Sequence, residues 1–320
     1  MKVICFRIYA GLETTGGQLV SKVFCDALSE ICEVEIRTFP IYNEPSFLKK
    51  LRYLVEMRRA AHDALGKGYH IYDLGKAGTI EYVQPPIIYK SGMLAVLERL
   101  KERLALLYLT GFSDNRRICI FASDYVRRTY EKYTCKGPVI YPPLLEKIGF
   151  NFSDKEDLIL MISRISKEKN IEMIGELSNR IDSKFVVVGF VTDKNRKYLE
   201  KLKKRFPNLT ITPNASSDEK MRYLGKAKIL LHTAINEPYG MTKIEGMAAG
   251  CVPLVHNSGG NPENVPSGCT FKDLDEAEQK IIKILRDYNI ETAMKMSNFV
   301  SKMDVNNFKQ QIRQYLQEVL

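Results

Sequence analysis

Short apolar runs rich in β-branched residues alternate with helical stretches along this chain, and that alternation restricts its fold more than any other feature. The runs lie at 3–8, 34–37, 71–73, 82–83, 118–121, 158–162, 185–188, 210–212, 229–231 and 252–255. Strands joined by helix-length connections pair in parallel, and continuously apolar strands are covered on both faces. The pattern therefore predicts an α/β fold with parallel sheets flanked by helices. At 320 residues the chain exceeds the usual size of a single core, so two Rossmann-like domains are expected. The boundary is placed from Tyr141-Pro142-Pro143 to Asp154, where periodicity is lost between two apolar runs. Domains of 1–145 and 146–305 result.

A composition of 45% hydrophobic and 27% charged residues is that of a globular protein. The apolar runs are too short or too interrupted to span a bilayer: residues 93–109 contain Glu98, Arg99, Lys101, Glu102 and Arg103. The N-terminus reads as a strand broken by Arg7 rather than a cleavable leader, which predicts a cytoplasmic location. Seven cysteines form no C-x-x-C pair and fall in apolar patterns, so buried reduced thiols are expected. The net charge of +10 is spread over both halves without a basic arm, which argues against nucleic acid as a partner. Anionic lipid headgroups or a diphosphate-bearing substrate account for the same excess.

The densest motif is Glu237-Pro238-Tyr239-Gly240-Met241-Thr242-Lys243-Ile244-Glu245, two carboxylates around a turn that follows the 229–231 strand. Read as a helix opening at Gly240, it sets Glu245 roughly 7 Å along the axis, so the two acids meet different parts of one elongated ligand. Unpaired N–H groups and the positive dipole end at the helix start suit a phosphate or diphosphate. Read blandly, it is a strand-turn-helix with a surface acid and a helix acid. A second cluster, Arg164 through Lys169 and Asn170, follows the 158–162 strand at the carboxyl edge where open α/β sheets bind ligands. Arg164 offers a planar fork and Lys169 a point charge, two complementary ways to hold a diphosphate.

Together with Leu231-His232-Thr233, Met247-Ala248-Ala249-Gly250 and His256-Asn257-Ser258-Gly259-Gly260, these segments resemble the donor-binding half of family 4 glycosyltransferases, and within that family the mannosyltransferases that extend lipid-linked oligosaccharides. The resemblance implies the GT-B fold, in which two Rossmann-like domains face each other across a cleft and the last helix, here 306–320, returns to the first domain. It implies a retaining transfer of a sugar, best read as mannose from GDP-mannose, from a nucleotide-diphosphate donor to a hydroxyl on a glycan or lipid-linked acceptor. Alternatives are a UDP-sugar transferase, a GT-B epimerase or phosphorylase, and a noncatalytic nucleotide-sugar-binding subunit.

By the same resemblance, Glu237 faces the donor sugar, Glu245 the ribose, and Arg164 and Lys169 the diphosphate, although Asn170 stands where a glycine is usual. Tyr239, Gly240, Met241 and Thr242 line the donor. Asn214 belongs to the loop that receives the base, and Gly189 permits close approach of ligand or serves a plain turn. Gly16 and Gly17 open a helix after the first strand, where relatives contact donor phosphate or acceptor. Gln84 occupies the place of a functional histidine; it can hydrogen-bond a sugar hydroxyl but cannot change protonation near neutral pH. None of His62, His70, His232 and His256 is assigned as a general base.

Asp273-Leu274-Asp275 superficially fits a metal-binding D-x-D, yet its position before a helical run makes capping the better explanation. The reaction is therefore expected to need no metal or other cofactor. Residues 45–64 and 93–109 are amphipathic with basic faces. Each is a core-facing helix, or one of them rests peripherally on an anionic membrane. Replacing Glu237 by Ala is expected to remove transfer while leaving the fold intact.

Overall fold

The computed structural model describes residues 2–7, 16–38, 46–73, 80–83, 117–131 and 136–320. The chain divides into two compact α/β units, Met1–Pro143 with Val305–Leu320, and Leu144–Asp304.

In the first unit, β1 (Lys2–Arg7), β2 (Glu33–Thr38), β3 (His70–Asp73), β4 (Ile80–Val83) and β5 (Ile118–Phe121) form a sheet in the order β2-β1-β3-β4-β5. Every pairing is parallel. Helix α1 (Gly16–Ser29) buries Val20, Phe24, Ala27 and Leu28, the three-and-four spacing of one helical face. Helices α2 (Phe47–Gly66) and α3 (Asp124–Tyr130) start at Ser46 and Ser123, whose hydroxyls accept the N–H of the third residue on. The C-terminal helix, Val305–Val319, belongs to this unit. It buries Phe308, Ile312 and Leu316, sets Phe308 edge-on to Tyr82, and pairs Lys309 and Arg313 with Glu30.

Cys119 on β5 is disulfide-bonded, which corrects the expectation that all seven cysteines are reduced. The spacing rule detects local C-x-x-C pairs and is blind to a bond between more distant positions. Cys5, Cys25, Cys251 and Cys269 are buried reduced thiols and Cys32 a half-buried one.

The second unit carries β6 (Glu156–Ile162), β7 (Lys184–Gly189), β8 (Leu209–Pro213), β9 (Ala227–His232), β10 (Val252–His256) and β11 (Thr270–Phe271). Its helices are α4 (Ile171–Arg180), α5 (Arg196–Arg205), α6 (Ser217–Lys226), α7 (Thr242–Ala248), α8 (Leu274–Asp287) and α9 (Ile290–Phe299). The sheet order is β11-β10-β9-β6-β7-β8, with all pairings parallel. Along β6, Ile159 and Met161 join one core and Leu158 and Leu160 the other, the alternation of a strand covered on both faces. The chain lays β7 and β8 on one side of β6 and returns to place β9 on the other. The strand order therefore reverses between β6 and β9, and open α/β sheets bind ligands at the carboxyl ends flanking such a switch point.

Asp273 caps α8, its carboxylate accepting the Glu276 N–H at 2.9 Å, while Asp275 pairs with Arg180, so the D-x-D is used by helix structure. The Lys155 amine donates to the carbonyls of Leu224, Ala227 and Ala249, tying the ends of α6 and α7 to the start of β9. Helix α7 ends at Gly250 with φ of 78°, where the Cys251 N–H reaches the Gly246 carbonyl, a left-handed stop that glycine favours. The same helix lies against β9 with no room to spare: a Cβ on Gly246 would stand 2.8 Å from Cβ of Leu230. Gly246→Ala is expected to lower the urea midpoint by the equivalent of about 1–3 kcal/mol, because overpacking forces α7 off the sheet.

Candidate functional site

The segments leaving β6, β9 and β10 converge at the switch point. After β6 the chain makes a short 3-10 turn at Lys167–Lys169 and caps α4 with Asn170 in the left-handed region, φ 51° and ψ 49°. Glycine favours that conformation and asparagine is among the few side chains that tolerate it. Asn170 thus supports the left-handed turn that a glycine would make there. Thr233, just past β9, locks the turn by donating its hydroxyl to the carbonyls of Lys169 and Asn170, each at 2.9 Å.

That fastening brings Lys169 to Glu237. The amine donates to Glu237 Oε2 at 2.7 Å, and both side chains are largely buried, at 8% and 12% exposure. His232, the last residue of β9, places Nε2 3.6 Å from the same oxygen. Burial opposes charge on Glu237, but His232 and Lys169 outweigh it and bring the carboxyl from 4.5 down to about 2. Burial pushes His232 downward against the pull of Glu237, so its imidazole is neutral near pH 7. A depressed carboxyl stabilises the fold above its ordinary value, and that contribution disappears as pH falls through the depressed one. Urea midpoints of wild type and Glu237→Gln are therefore expected to differ above pH 4.5 and to converge toward pH 2, because a protonated Glu237 matches the glutamine.

Gly240 follows in a left-handed conformation, φ 78°, and the helix opens two residues later, at Thr242. This corrects the sequence expectation of a start at Gly240: a residue at positive φ cannot belong to the right-handed helix. A Cβ on Gly240 would lie 3.4 Å from Asn261 Oδ1 and 3.5 Å from both Glu237 Cγ and His232 Nε2, so the glycine opens a small polar recess. Ser166 Oγ, His232 Nε2, Thr242 Oγ1 and Asn261 Oδ1 are buried without hydrogen-bond partners. All four belong to this edge. Buried polar atoms are nearly always satisfied, so a concentration of exceptions marks a place for a polar ligand.

The remaining predicted residues are distributed around this centre. Arg164 is half exposed and within 3.5 Å of Glu168. Glu245 forms an ion pair at 2.8 Å with Lys220 on α6, without hydrogen-bond alignment. Direct contacts thus join Glu237 to Lys169 and His232, while Arg164 and Glu245 each engage a different partner. Tyr239 is buried with its ring 4.4 Å from the Lys243 amine, so its side chain packs inward, unlike the donor-lining role read from sequence. Met241 and Thr242 are half-buried. Asn214, φ 55°, binds the end of β7: its N–H donates to the Gly189 carbonyl and its Oδ1 accepts the Val191 N–H. The Cβ direction of Gly189 is filled by the Ser163 carbonyl oxygen at 1.6 Å, so close backbone packing, not a ligand, demands glycine there.

In the first unit, Gly16 and Gly17 are the opening residues of α1. Gln84 and residues 93–109 lie outside the described residues. Helix α2 exposes Lys49, Arg52, Arg58, Arg59 and His62, with Leu48 at 76% exposure. Among the described residues no helix is long and apolar enough to cross a membrane, and no group of three or more metal-ligating side chains occurs. Sequence reasoning did not single out Asn261, and it named His232 and Lys243 only within motifs, without giving either a role. The available signal was Lys243, the one basic residue of a seven-residue helix whose other charge is Glu245.

Residues 146–303 match the family described as glycosyl transferases group 1. The chain is 26% identical over 213 residues to a GDP-Man:Man(3)GlcNAc(2)-PP-Dol alpha-1,2-mannosyltransferase of Dictyostelium discoideum, covering 57% of this chain and 42% of that protein. It is 28% identical over 149 residues to a glycogen synthase of Caldicellulosiruptor bescii, covering 42% and 31%. The matched stretches thus span less than half of either relative. Among solved structures, Anabaena Alr3699/HepE in complex with UDP and glucose superposes with a TM-score of 0.72 at 15% identity, covering 99% of both chains. The fold is that of GT-B glycosyltransferases.

Proposed function

We propose that the protein transfers a sugar from a nucleoside diphosphate donor to a hydroxyl acceptor, since residues 146–303 match the glycosyl transferases group 1 family in a chain with the GT-B fold. The finer reading is mannose from GDP-mannose, passed with retention to a lipid-linked glycan, supported by the likeness to the dolichol-linked mannosyltransferase. The observation that carries the proposal is the Lys169–Glu237 pair at the switch point, on a sheet edge whose segments hold four unsatisfied buried polar atoms.

Charge develops in two places during glycosyl transfer, positive on the anomeric carbon and ring oxygen and negative on the departing diphosphate. Glu237 is ionised throughout the neutral range, so it accepts hydrogen bonds from the sugar and faces the developing cation; it does not donate a proton. Lys169 and Arg164 neutralise the diphosphate, a role that needs no metal. Preorganised charges of this kind are the largest ordinary source of rate enhancement. Glu245 takes the ribose, the backbone of Tyr239, Gly240, Met241 and Thr242 lines the donor, Asn214 shapes the base end, Gly16 and Gly17 approach the donor phosphate or the acceptor, and Gln84 serves the acceptor side. The exposed basic face of α2 is the element for peripheral contact with an anionic membrane. Flotation with anionic vesicles is expected, and no association would remove that part.

The decisive assay measures nucleoside diphosphate released from GDP-mannose with and without a polyprenyl-diphosphate oligosaccharide. Release that requires both supports the proposal, and no turnover with any GDP- or UDP-sugar contradicts it. The glycogen synthase relative favours a second reading, a UDP-sugar or other glucosyl donor at the same site, which the same donor series resolves.

A further inference from the structure

Lys243 is the second residue of α7 and is fully buried. Its amine donates to the carbonyls of Gly260 at 2.8 Å and Asn261 at 3.1 Å and stands 4.4 Å from the centre of the Tyr239 ring. Among the described residues no carboxylate lies within ion-pair reach of it. A buried ammonium is costly unless it is solvated by the protein, and here two carbonyls and an aromatic face do so.

Those carbonyls belong to a turn fastened repeatedly to the segment that carries Glu237. The Asn236 N–H donates to Ser258 Oγ, the Gly260 N–H to the Glu237 carbonyl, and Asn261 Nδ2 to the Ala234 carbonyl. Gly259 has φ of 64°, and a Cβ there would meet the Glu237 carbonyl oxygen at 2.6 Å. The two segments are thus one body, with Lys243 as the pin through it.

We propose that Lys243 is a positioning residue of the donor site: its buried ammonium pins the turn at 258–261 to the Glu237 segment and adds positive charge that favours an anionic sugar nucleotide. This rests on the proposed function for the identity of the ligand, but the pinning does not. Burial pushes the Lys243 amine down to about 7, with Glu263 and Glu237 pulling it back up. The titratable groups around it are Glu237, Glu263 and the neutral His232, which also senses Lys169. An arriving anion favours the protonated amine, so affinity is highest below pH 7 and falls as pH rises above it.

The test uses the full chain with Lys243→Met, which keeps the length of the side chain, and Lys243→Gln, which keeps a donor without the charge. Hydrogen exchange of the Gly260 and Asn261 amides is read first. At least tenfold faster exchange in Lys243→Met, confined to the turn, is expected, and unchanged protection overturns the pin whatever the ligand. Calorimetric titration with GDP-mannose, whose diphosphate has no proton to lose between about pH 6 and 8.5, is read second. Wild-type affinity is expected to fall severalfold or more across that range, with both variants binding at least tenfold more weakly at pH 6 and without the pH dependence. Variants that bind like wild type at every pH overturn the donor role. A loosened turn in Lys243→Met, alongside a wild type that binds no GDP- or UDP-sugar, faults the functional reading and leaves the pin standing. Should Lys243→Met not fold, Lys243→Leu, which also removes the donor, takes its place in the exchange measurement, and titration of Lys243→Gln with the wild-type pH profile decides the donor role by the same outcomes.

Discussion

Glu237→Gln is expected to lower the proposed sugar transfer by about a hundredfold to a thousandfold, the size of effect seen when one preorganised electrostatic partner of a transition state is removed. The glutamine keeps the shape of the side chain and a carbonyl oxygen near Lys169, so the loss is expected in kcat more than in KM. Glu237→Ala is the less informative change. The Lys169–Glu237 pair is buried at 2.7 Å, and deleting one partner leaves an uncompensated ammonium, a cost of about 3–5 kcal/mol. The burial of that pair revises the sequence-based expectation that the alanine variant folds normally. Circular dichroism on both variants separates the effects: Gln should melt closer to wild type and Ala well below it. Near-normal turnover in Glu237→Gln would remove the carboxylate from the chemistry.

Gly189→Ala is expected to be at least as damaging, although it adds one methyl group far from any acid. The new Cβ would lie 1.6 Å from the Ser163 carbonyl oxygen, and Ser163 donates its N–H to the Val188 carbonyl across the β6–β7 pair. Neither backbone can yield without parting two central strands, so the cost should reach or exceed the roughly 3 kcal/mol upper end of ordinary overpacking. The damage propagates directly into the site. Ser163 precedes Arg164, and the Ile165 N–H is held by the Phe190 carbonyl. Urea denaturation should show the lost stability, and folded material should bind sugar nucleotides poorly. An alanine variant with wild-type midpoint would mean that the two strands separate easily there.

The ten runs all mark strands, most of them apolar because they are covered on both faces, while the edge strand β2 carries Glu35 and Arg37 and was legible from its alternation. β11 escaped: Thr270–Phe271 is too short to carry a periodic signal. The acids and cations of the site were legible, but their pairing was not. Lys169 meets Glu237 only because β6 and β9, distant in sequence, are neighbours in the sheet. Spacing suggested that Glu237 and Glu245 address one ligand; the structure gives each its own lysine. Tyr239 sits in the motif, and its ring packs 4.4 Å from the buried Lys243 amine, a contact that spacing did not reveal. The helix start moved from Gly240 to Thr242 for a backbone reason, the left-handed φ of the glycine, that composition alone does not reveal. Asn170 shows the converse, a departure from a glycine pattern that keeps the left-handed turn.

In the proposed function, the carboxyl edge between β6 and β9 grips the diphosphate of a sugar nucleotide. Calorimetric titration of GDP-mannose and UDP-glucose into wild type and Arg164→Ala tests it directly, because Arg164 is half exposed and its removal should spare the fold. One saturable site in wild type, weakened at least tenfold in Arg164→Ala and weakened further by salt, is the predicted result. Absence of binding by every sugar nucleotide, or equal affinity in wild type and variant, would contradict it.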